Sequence, residues 1–213
     1  MFFSRRRRVL CVLLCALYLL LAVEAASAQQ TRLVPQATLT AILAAPLAAP
    51  PVGSGNADVT IVEYFDYNCP VCRELEPQLD KLLAADPKVR LVRKDWAIFG
   101  DGSVYAAYAS FAAHREGRYQ GAHIALITSS KPEDTKADVL AVLEAAGFES
   151  AKIDADVARH GKEYAEVLAR NASEATQLGL QGTPGLIVGN QLVLAGVTYR
   201  ALQQLVARAR RRS

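Results

Sequence analysis

The chain of 213 residues is poor in the residues that mark metal sites and cross-linked scaffolds: it has four cysteines, three histidines, one methionine and one tryptophan. Cys11 and Cys15 fall in an N-terminal apolar run, so only Cys69 and Cys72 stand downstream, as Cys69-Pro70-Val71-Cys72. One pair so closely spaced is not a disulfide framework, because a bridge across a tiny loop constrains little of the unfolded chain. Zinc needs four ligands. There is no second CxxC, and His114, His123 and His160 lie far downstream without ligand-like spacing, so no metal is expected. The three histidines read as surface or helix-packing residues. A broad positive charge is lacking too. Lys plus Arg number 24 against 21 Asp plus Glu, and Arg5 to Arg8 supply four of the 24. Beyond residue 28 the count is 24 − 4 = 20 basic against 21 − 1 = 20 acidic, since Glu24 also drops out. A dedicated nucleic-acid binder would carry a basic face, so that class is excluded. About half the residues are apolar, which excludes intrinsic disorder and supports a packed core.

The first 28 residues read as an address. Arg5 to Arg8 form a positive n-region, Val9 to Val23 is an uncharged apolar run, and Ala26-Ser27-Ala28 supplies the small residues of a cleavage site. The run is 15 residues, short of the ~20 needed to cross hydrocarbon. Leu10 and Leu14 stand where a lipoprotein site needs a small residue before its Cys. The expectation is a secretory signal cleaved after Ala28 and a periplasmic, oxidising compartment.

Residues 29–57 are rich in Ala and Pro and read as an N-terminal arm with at most a short helix at 38–44. Val59 to Phe65 is a β-branched and aromatic run, expected as a buried strand. The CxxC follows, then a helix from Arg73 to Ala85 with Leu75, Leu79, Leu82 and Leu83 at helical spacing. Val89 to Arg93 is a second strand, so strand, helix and strand make a βαβ unit with parallel pairing. An Ala-rich helical block follows, with Val104, Ala107, Tyr108 and Phe111 on one stripe. Ser130-Lys131-Pro132-Glu133 reads as a capping box before a helix that Gly147 stops. Another helix is expected over about 163–178. Leu186 to Val188 and Leu192 to Leu194 flank Gly189-Asn190, a hairpin signal. A last helix, Tyr199 to Ala209, runs into Arg208 and Arg210 to Arg212, read as a solvated, frayed tail.

The pair makes chemical sense in this setting. Cys69 falls at the N-cap of its helix and Pro70 at N1, where a missing N–H costs nothing. Free N–H groups and the positive helix end stabilise a thiolate on Cys69, drawing its pKa into the range of roughly 3.5–7.5. Stabilising the reduced form makes the disulfide oxidising. Cys72, one turn in, is the expected buried resolving thiol. Closing the four-residue loop stabilises the oxidised form by roughly 2 kcal/mol. A folded pKa of about 5.5 balances that at pH 7, and only about 4 leaves the reduced form clearly ahead.

The stretch Phe65-Asp66-Tyr67-Asn68-Cys69-Pro70-Val71-Cys72, with Thr183-Pro184 before a hairpin and terminal helix, resembles the thioredoxin superfamily. The helical block of roughly 80 residues narrows the resemblance to the DsbA-type family of exported thiol–disulfide oxidoreductases, over about 58–211. The resemblance implies an α/β thioredoxin-like fold with an inserted α-helical domain. Its thioredoxin-like part would be 58–99 and 177–213, and its insert 100–176. It implies Cys69 as the attacking thiol, Cys72 as the resolving one, and together a redox-active disulfide without further cofactor. Glu63, six residues before Cys69, matches the family's buried acid and is expected to relay the Cys72 proton, with Lys94 as a cross-sheet partner. Pro77 matches a helix-kinking proline. Thr183-Pro184 matches the cis-proline loop, whose backbone would pair with an extended substrate, and Gly182 and Gly185 would let that substrate approach. Asp66 and Tyr67 border the site without an assigned role. Implied partners are unfolded or reduced proteins and a membrane or periplasmic redox partner, with no nucleic acid. The leading expectation is a disulfide donor in protein folding. A reductase or isomerase of the same fold is the first alternative. Thr183 before the proline suits it, but the 29 residues between Ala28 and Asp58 are too few for a dimerisation module. A copper-binding or metal-tolerance module using two soft thiolates is the second; the lack of Met beyond Met1 and of nearby His opposes it.

Overall fold

The computed structural model describes residues 31–45, 50–194 and 197–212. The export signal expected over 1–28 lies outside the described residues. The described residues between 31 and 57 do more than form an arm. Thr31–Leu33 (β1) and Val52–Gly53 (β2) are the two edge strands of a six-stranded sheet, and Gln36–Ala44 (α1) buries Leu39 and Ile42. Strands of two and three residues are too short to display alternation, which is why the sequence hides them.

Val59–Phe65 (β3) is central, parallel to Val89–Asp95 (β4) and antiparallel to Gly185–Val188 (β5), which pairs with Gln191–Val193 (β6). The strand order is β1-β6-β5-β3-β4-β2. Pro70–Ala85 (α2) is the crossover between β3 and β4. Val59 and Ile61 pack with Leu75 and Leu79 of α2 and with Leu202 and Leu205 of Tyr199–Arg210 (α7). Val62 and Tyr64 face the other way, onto α1 and Ala175. Successive side chains take opposite faces, and because both faces are covered β3 reads as one apolar run.

Four helices separate β4 from β5: Asp101–Arg115 (α3), Tyr119–Ile127 (α4), Lys136–Ala145 (α5) and Ser150–Gln177 (α6). Phe65, Tyr67, Cys69 and Cys72 share a third core with Phe111, Leu126, Leu143 and Tyr164 of these helices. The redox pair therefore sits where the sheet meets the helical block. α3 enters at Gly102, where a Cβ would stand 1.8 Å from the Glu133 carbonyl oxygen, so only glycine permits that approach.

Several expectations are corrected. α6 begins at Ser150, well before 163. Its first half buries only Ile153 and is tied down by polar contacts, Arg115 to Asp156 and Tyr105 to Asp154 among them, so it shows little apolar period. The capping box is Thr135 with Asp138, not Ser130 with Glu133. Arg210 is not part of a frayed tail: it pairs with Asp58 at 2.8 Å and Asp86 at 2.7 Å. The hairpin expected at Gly189-Asn190 is made, joining β5 to β6 with Gly189 at φ +61°.

Candidate active site

β3 delivers the chain into a loop that places Cys69 as the N-cap of α2, with Pro70 first in the helix. The Cys72 N–H donates to Cys69 Sγ at 3.4 Å, and the protonated Sγ donates to the Thr183 carbonyl at 3.2 Å. Both cysteines are free thiols and both residues are buried, beneath exposed Pro70 and Val71. The Cys69 pKa is lowered to about 6, through hydrogen bonding from the Cys72 thiol and Thr183 and from the N–H groups of Cys72 and Val71, against the opposing effect of burial. Cys72 is driven the other way, upward, first by burial, then by its hydrogen bond to Cys69 and by the charge on Glu63. One turn of helix thus separates a thiolate near neutrality from a thiol that holds its proton.

Thr183–Pro184 is cis and faces the pair. A cleft between the CxxC turn and this loop is lined by Val71, Leu180, Gly182, Thr183, Pro184 and Leu194. Gly182 opens onto free space, whereas a Cβ at Gly185 would meet Leu180 at 2.5 Å. A larger residue at 185 would therefore push the Leu180 side chain aside.

Glu63 is 1% exposed, on the side of β3 that carries Ile61 and Phe65. Burial pushes its carboxyl up to about 8; Arg93 opposes this, while Glu76, Cys69 and Asp95 add to it. The expected pairing with Lys94 is not made. The parallel register sets Glu63 beside Arg93 and Tyr64 beside Lys94, so Lys94 projects to the opposite face and pairs with Glu174 at 3.0 Å. Arg93 Nε stands 3.8 Å from Glu63 Oε2, and Arg93 Nη2 donates to Glu76 Oε1 at 2.6 Å.

Several residues at the site carry no family motif. Asp66 accepts from the N–H groups of Asn68, Ile98 and Phe99 and from the Ser103 hydroxyl, fixing the loop after β4 beside the CxxC. Arg73 donates to the carbonyls of Tyr67 at 2.7 Å and Ser129 at 2.5 Å and pairs with Glu133 at 2.9 Å. Glu133 is buried, which turns the segment read as a cap into a lock between α2 and the helical block. Of the two readings for the histidines, surface or helix-packing, His123 takes the second: it is fully buried, between Tyr67 and Glu76. Charged residues at positions whose period predicts burial, Glu76 beside Leu75 and Leu79 and Arg93 two after Leu91, were the available signal.

The thioredoxin family profile matches residues 48–208. A thioredoxin-like oxidoreductase from Silicibacter pomeroyi DSS-3 is 35% identical, with a TM-score of 0.75 over 84% of this chain and 99% of that one. A periplasmic thioredoxin-like protein from Salmonella enterica serovar Typhimurium is 25% identical, with a TM-score of 0.70 over 84% of this chain and 98% of that one. The thiol-disulfide exchange protein alpha-DsbA2 from Wolbachia pipientis shares the fold at 22% identity and a TM-score of 0.69, over 76% of this chain and 87% of that one. Among curated sequences, the Na(+)/H(+) antiporter NhaA 3 of Salinispora tropica is 29% identical over 147 residues, 65% of this chain and 21% of that protein. The chain spans about a fifth of the length of the curated relatives it matches. No helix among the described residues is long and apolar enough to cross a membrane.

Proposed function

The chain belongs to the thioredoxin family, and from that premise we propose that it is a thiol–disulfide oxidoreductase of DsbA-like type, an exported disulfide donor for folding proteins. The observation that favours this direction is the Cys69 thiolate, lowered to about 6 from 9.0 at the helix N-cap, which makes the disulfide more oxidising, though less so than a pKa near 4 would. At pH 7 that shift favours the reduced pair by about 1.4 kcal/mol, or about 1 after discounting for solvent screening, and raises the potential by about 20–30 mV. The incoming disulfide would come from a membrane or periplasmic partner, and the clients would be reduced proteins. A client chain lying along the Val71–Leu194 cleft would present its thiol to Sγ of Cys69 and its backbone to Thr183. Export is supported by the charge and apolar pattern of residues 1–28 and by the periplasmic relative from Salmonella.

In the donor direction a client thiolate attacks Cys69 Sγ of the Cys69–Cys72 disulfide. The client–Cys69 bond forms, and the Cys72 thiolate leaves and takes up a proton. A second client thiolate then displaces Cys69, which departs as the stabilised thiolate, and the client keeps the disulfide. Glu63, whose charge is felt at Cys72 and whose carboxyl is pushed up to about 8, would give and recover the Cys72 proton. The test is one measured potential against glutathione, with reduced-RNase refolding beside insulin reduction. A value above about −200 mV with active RNase refolding supports the donor reading; one near −270 mV with efficient insulin reduction replaces it with a reductase.

A further inference from the structure

We propose that His123, reaching in from the helical block, is a positioning residue for proton exchange at Cys72: it satisfies Glu76, so that Arg93 stays shared between Glu76 and Glu63. The inference rests on the reading of Glu63 as the carboxyl that exchanges a proton with Cys72.

The geometry is a chain of buried groups. Tyr67 Oη stands 3.1 Å from His123 Nδ1, and His123 Nε2 stands 3.2 Å from Glu76 Oε1, within reach though imperfectly aligned. An ionised carboxylate only accepts, whereas a phenol can donate. The tautomer that suits both carries its proton on Nε2, facing Glu76, and accepts a hydrogen bond from the Tyr67 hydroxyl at Nδ1. Stacking on Tyr119, at 5.7 Å between centroids and 22° between planes, holds the ring in that orientation. Glu76 Oε1 also receives Arg93 Nη2 at 2.6 Å, while Arg93 Nε faces Glu63 Oε2 at 3.8 Å. The Nε of Arg93 makes no hydrogen bond among the described residues, so its position between two carboxylates is set by how strongly Glu76 pulls.

The groups that face this network come from every element around it. Arg93, Cys69, Cys72, Asp95 and Glu76 face Glu63; His123, Arg93, Glu63 and Asp80 face Glu76; Tyr67, Tyr119, Glu76 and Arg93 face His123. Burial holds His123 down at about 4, against the pull of Glu76, so it stays neutral across the working range. Glu76 is held below its ordinary value despite burial, by His123 and Arg93. If the His123 N–H is removed, Glu76 has lost one of its donors and draws Arg93 closer. Glu63 then loses part of its counter-charge, and its carboxyl rises further.

The chemistry read out is the resolving step, run with Ellman's reagent on the reduced full chain. Cys69 thiolate attacks the reagent and releases one thionitrobenzoate. Cys72 then gives its proton to Glu63 and attacks Cys69 Sγ; the Cys69–Cys72 bond forms and the second thionitrobenzoate leaves as the anion. The two phases separate attack from resolution. In His123→Phe the pH midpoint of the second phase is expected to move up by half a unit to one unit, slowing it about three- to tenfold at pH 7, with the first phase unchanged. His123→Gln, which keeps an N–H toward Glu76, should restore the midpoint. Should His123→Phe not fold, Tyr67→Phe frees Nδ1, lets the proton leave Nε2, and should shift the midpoint in the same direction. Lower thermal stability with an unmoved midpoint, or a downward shift, overturns the inference. Glu63→Gln separates the two claims. If it leaves the second-phase profile intact, the relay reading itself fails; if it abolishes the profile while the His123 and Tyr67 variants leave it in place, the inference alone fails.

Discussion

The difference in stability between the dithiol and the disulfide should depend on pH with a sign fixed by Cys69. Its folded pKa is about 6 against an ordinary 9.0. A depressed pKa contributes stability that is complete above the unfolded value and is lost as pH falls through the folded one. Worked from those two values, the thiolate stabilises the reduced form by almost nothing at pH 5, about 1.4 kcal/mol at pH 7 and about 2.7 kcal/mol at pH 8. Discounting for solvent screening leaves about 1 and about 2 kcal/mol at the last two. The four-residue bridge stabilises the oxidised form by about 2 kcal/mol at every pH. The oxidised protein should therefore lead by about 2 kcal/mol at pH 5 and about 1 at pH 7, and the forms should be level near pH 8.

For a chain of this length 1 kcal/mol moves the midpoint by about 2–4 °C, so calorimetric scans of both forms should differ by about 4–8 °C at pH 5 and converge by about pH 8. Glu63 and Asp95 titrate in both forms and cancel to first order in the difference. Cys72 sets the upper limit of the window. Its raised pKa contributes stability that is present below the unfolded value near 9 and is lost above it. A gap that is constant with pH, or that widens as pH rises, would refute the thiolate argument. A reduced form already ahead at pH 7 would place the Cys69 pKa nearer 4 and make the protein a strong oxidant.

Three substitutions test the surroundings of the pair. Glu133→Ala removes the buried partner of Arg73 and should cost about 3 kcal/mol, read as a fall of about 6–12 °C in the melting midpoint of either redox form. Gly102→Ala forces a Cβ onto the Glu133 carbonyl, 1.8 Å away, and should cost about 2–3 kcal/mol in urea unfolding. Asp66→Asn takes the charge from an acceptor of four hydrogen bonds and should speed amide exchange at Ile98 and Phe99 by about tenfold or more. An unchanged exchange rate at those two amides would show that the loop after β4 is held by something other than Asp66.

The central architecture was legible because each part of it carries a local signal. β3 and β4 read as apolar runs, α2 as a Leu stripe, the hairpin as Gly189-Asn190, and Cys69-Pro70 as a helix start. What the sequence hid is polar and long-range. His123 looks like any helix histidine until α4 is laid against β4 and α2. Glu133 sits in a stretch that locally resembles a helix cap, and only its bonds to Arg73 and Asn68 reveal its use. The choice of Arg93 over Lys94 as neighbour of Glu63 is a matter of register: a shift of one residue exchanges the faces of a strand. The first half of α6 is hidden for the same reason, since its contacts are made by Asp154 and Asp156 rather than by an apolar face.

The buried charges beneath the pair also limit how far the thiolate can be stabilised. Glu63 and Asp95 are both pushed up to about 8, chiefly by burial, so at neutral pH they remain mostly protonated and Glu76 with Arg93 forms the charged pair of the floor. A raised carboxyl pKa contributes stability that is present below its ordinary value and is lost as pH rises through the folded one. From about pH 4 to about pH 8 both redox forms therefore lose stability through Glu63 and Asp95, while only the reduced form gains it through Cys69. Above about pH 8 the two carboxyls ionise beneath the Cys69 thiolate and repel it. The thiolate is thus most useful in a window near neutrality, after Cys69 has ionised and before its floor does. The helical block adds His123, whose Nε2 faces Glu76 at 3.2 Å and so leaves Arg93 shared between Glu76 and Glu63.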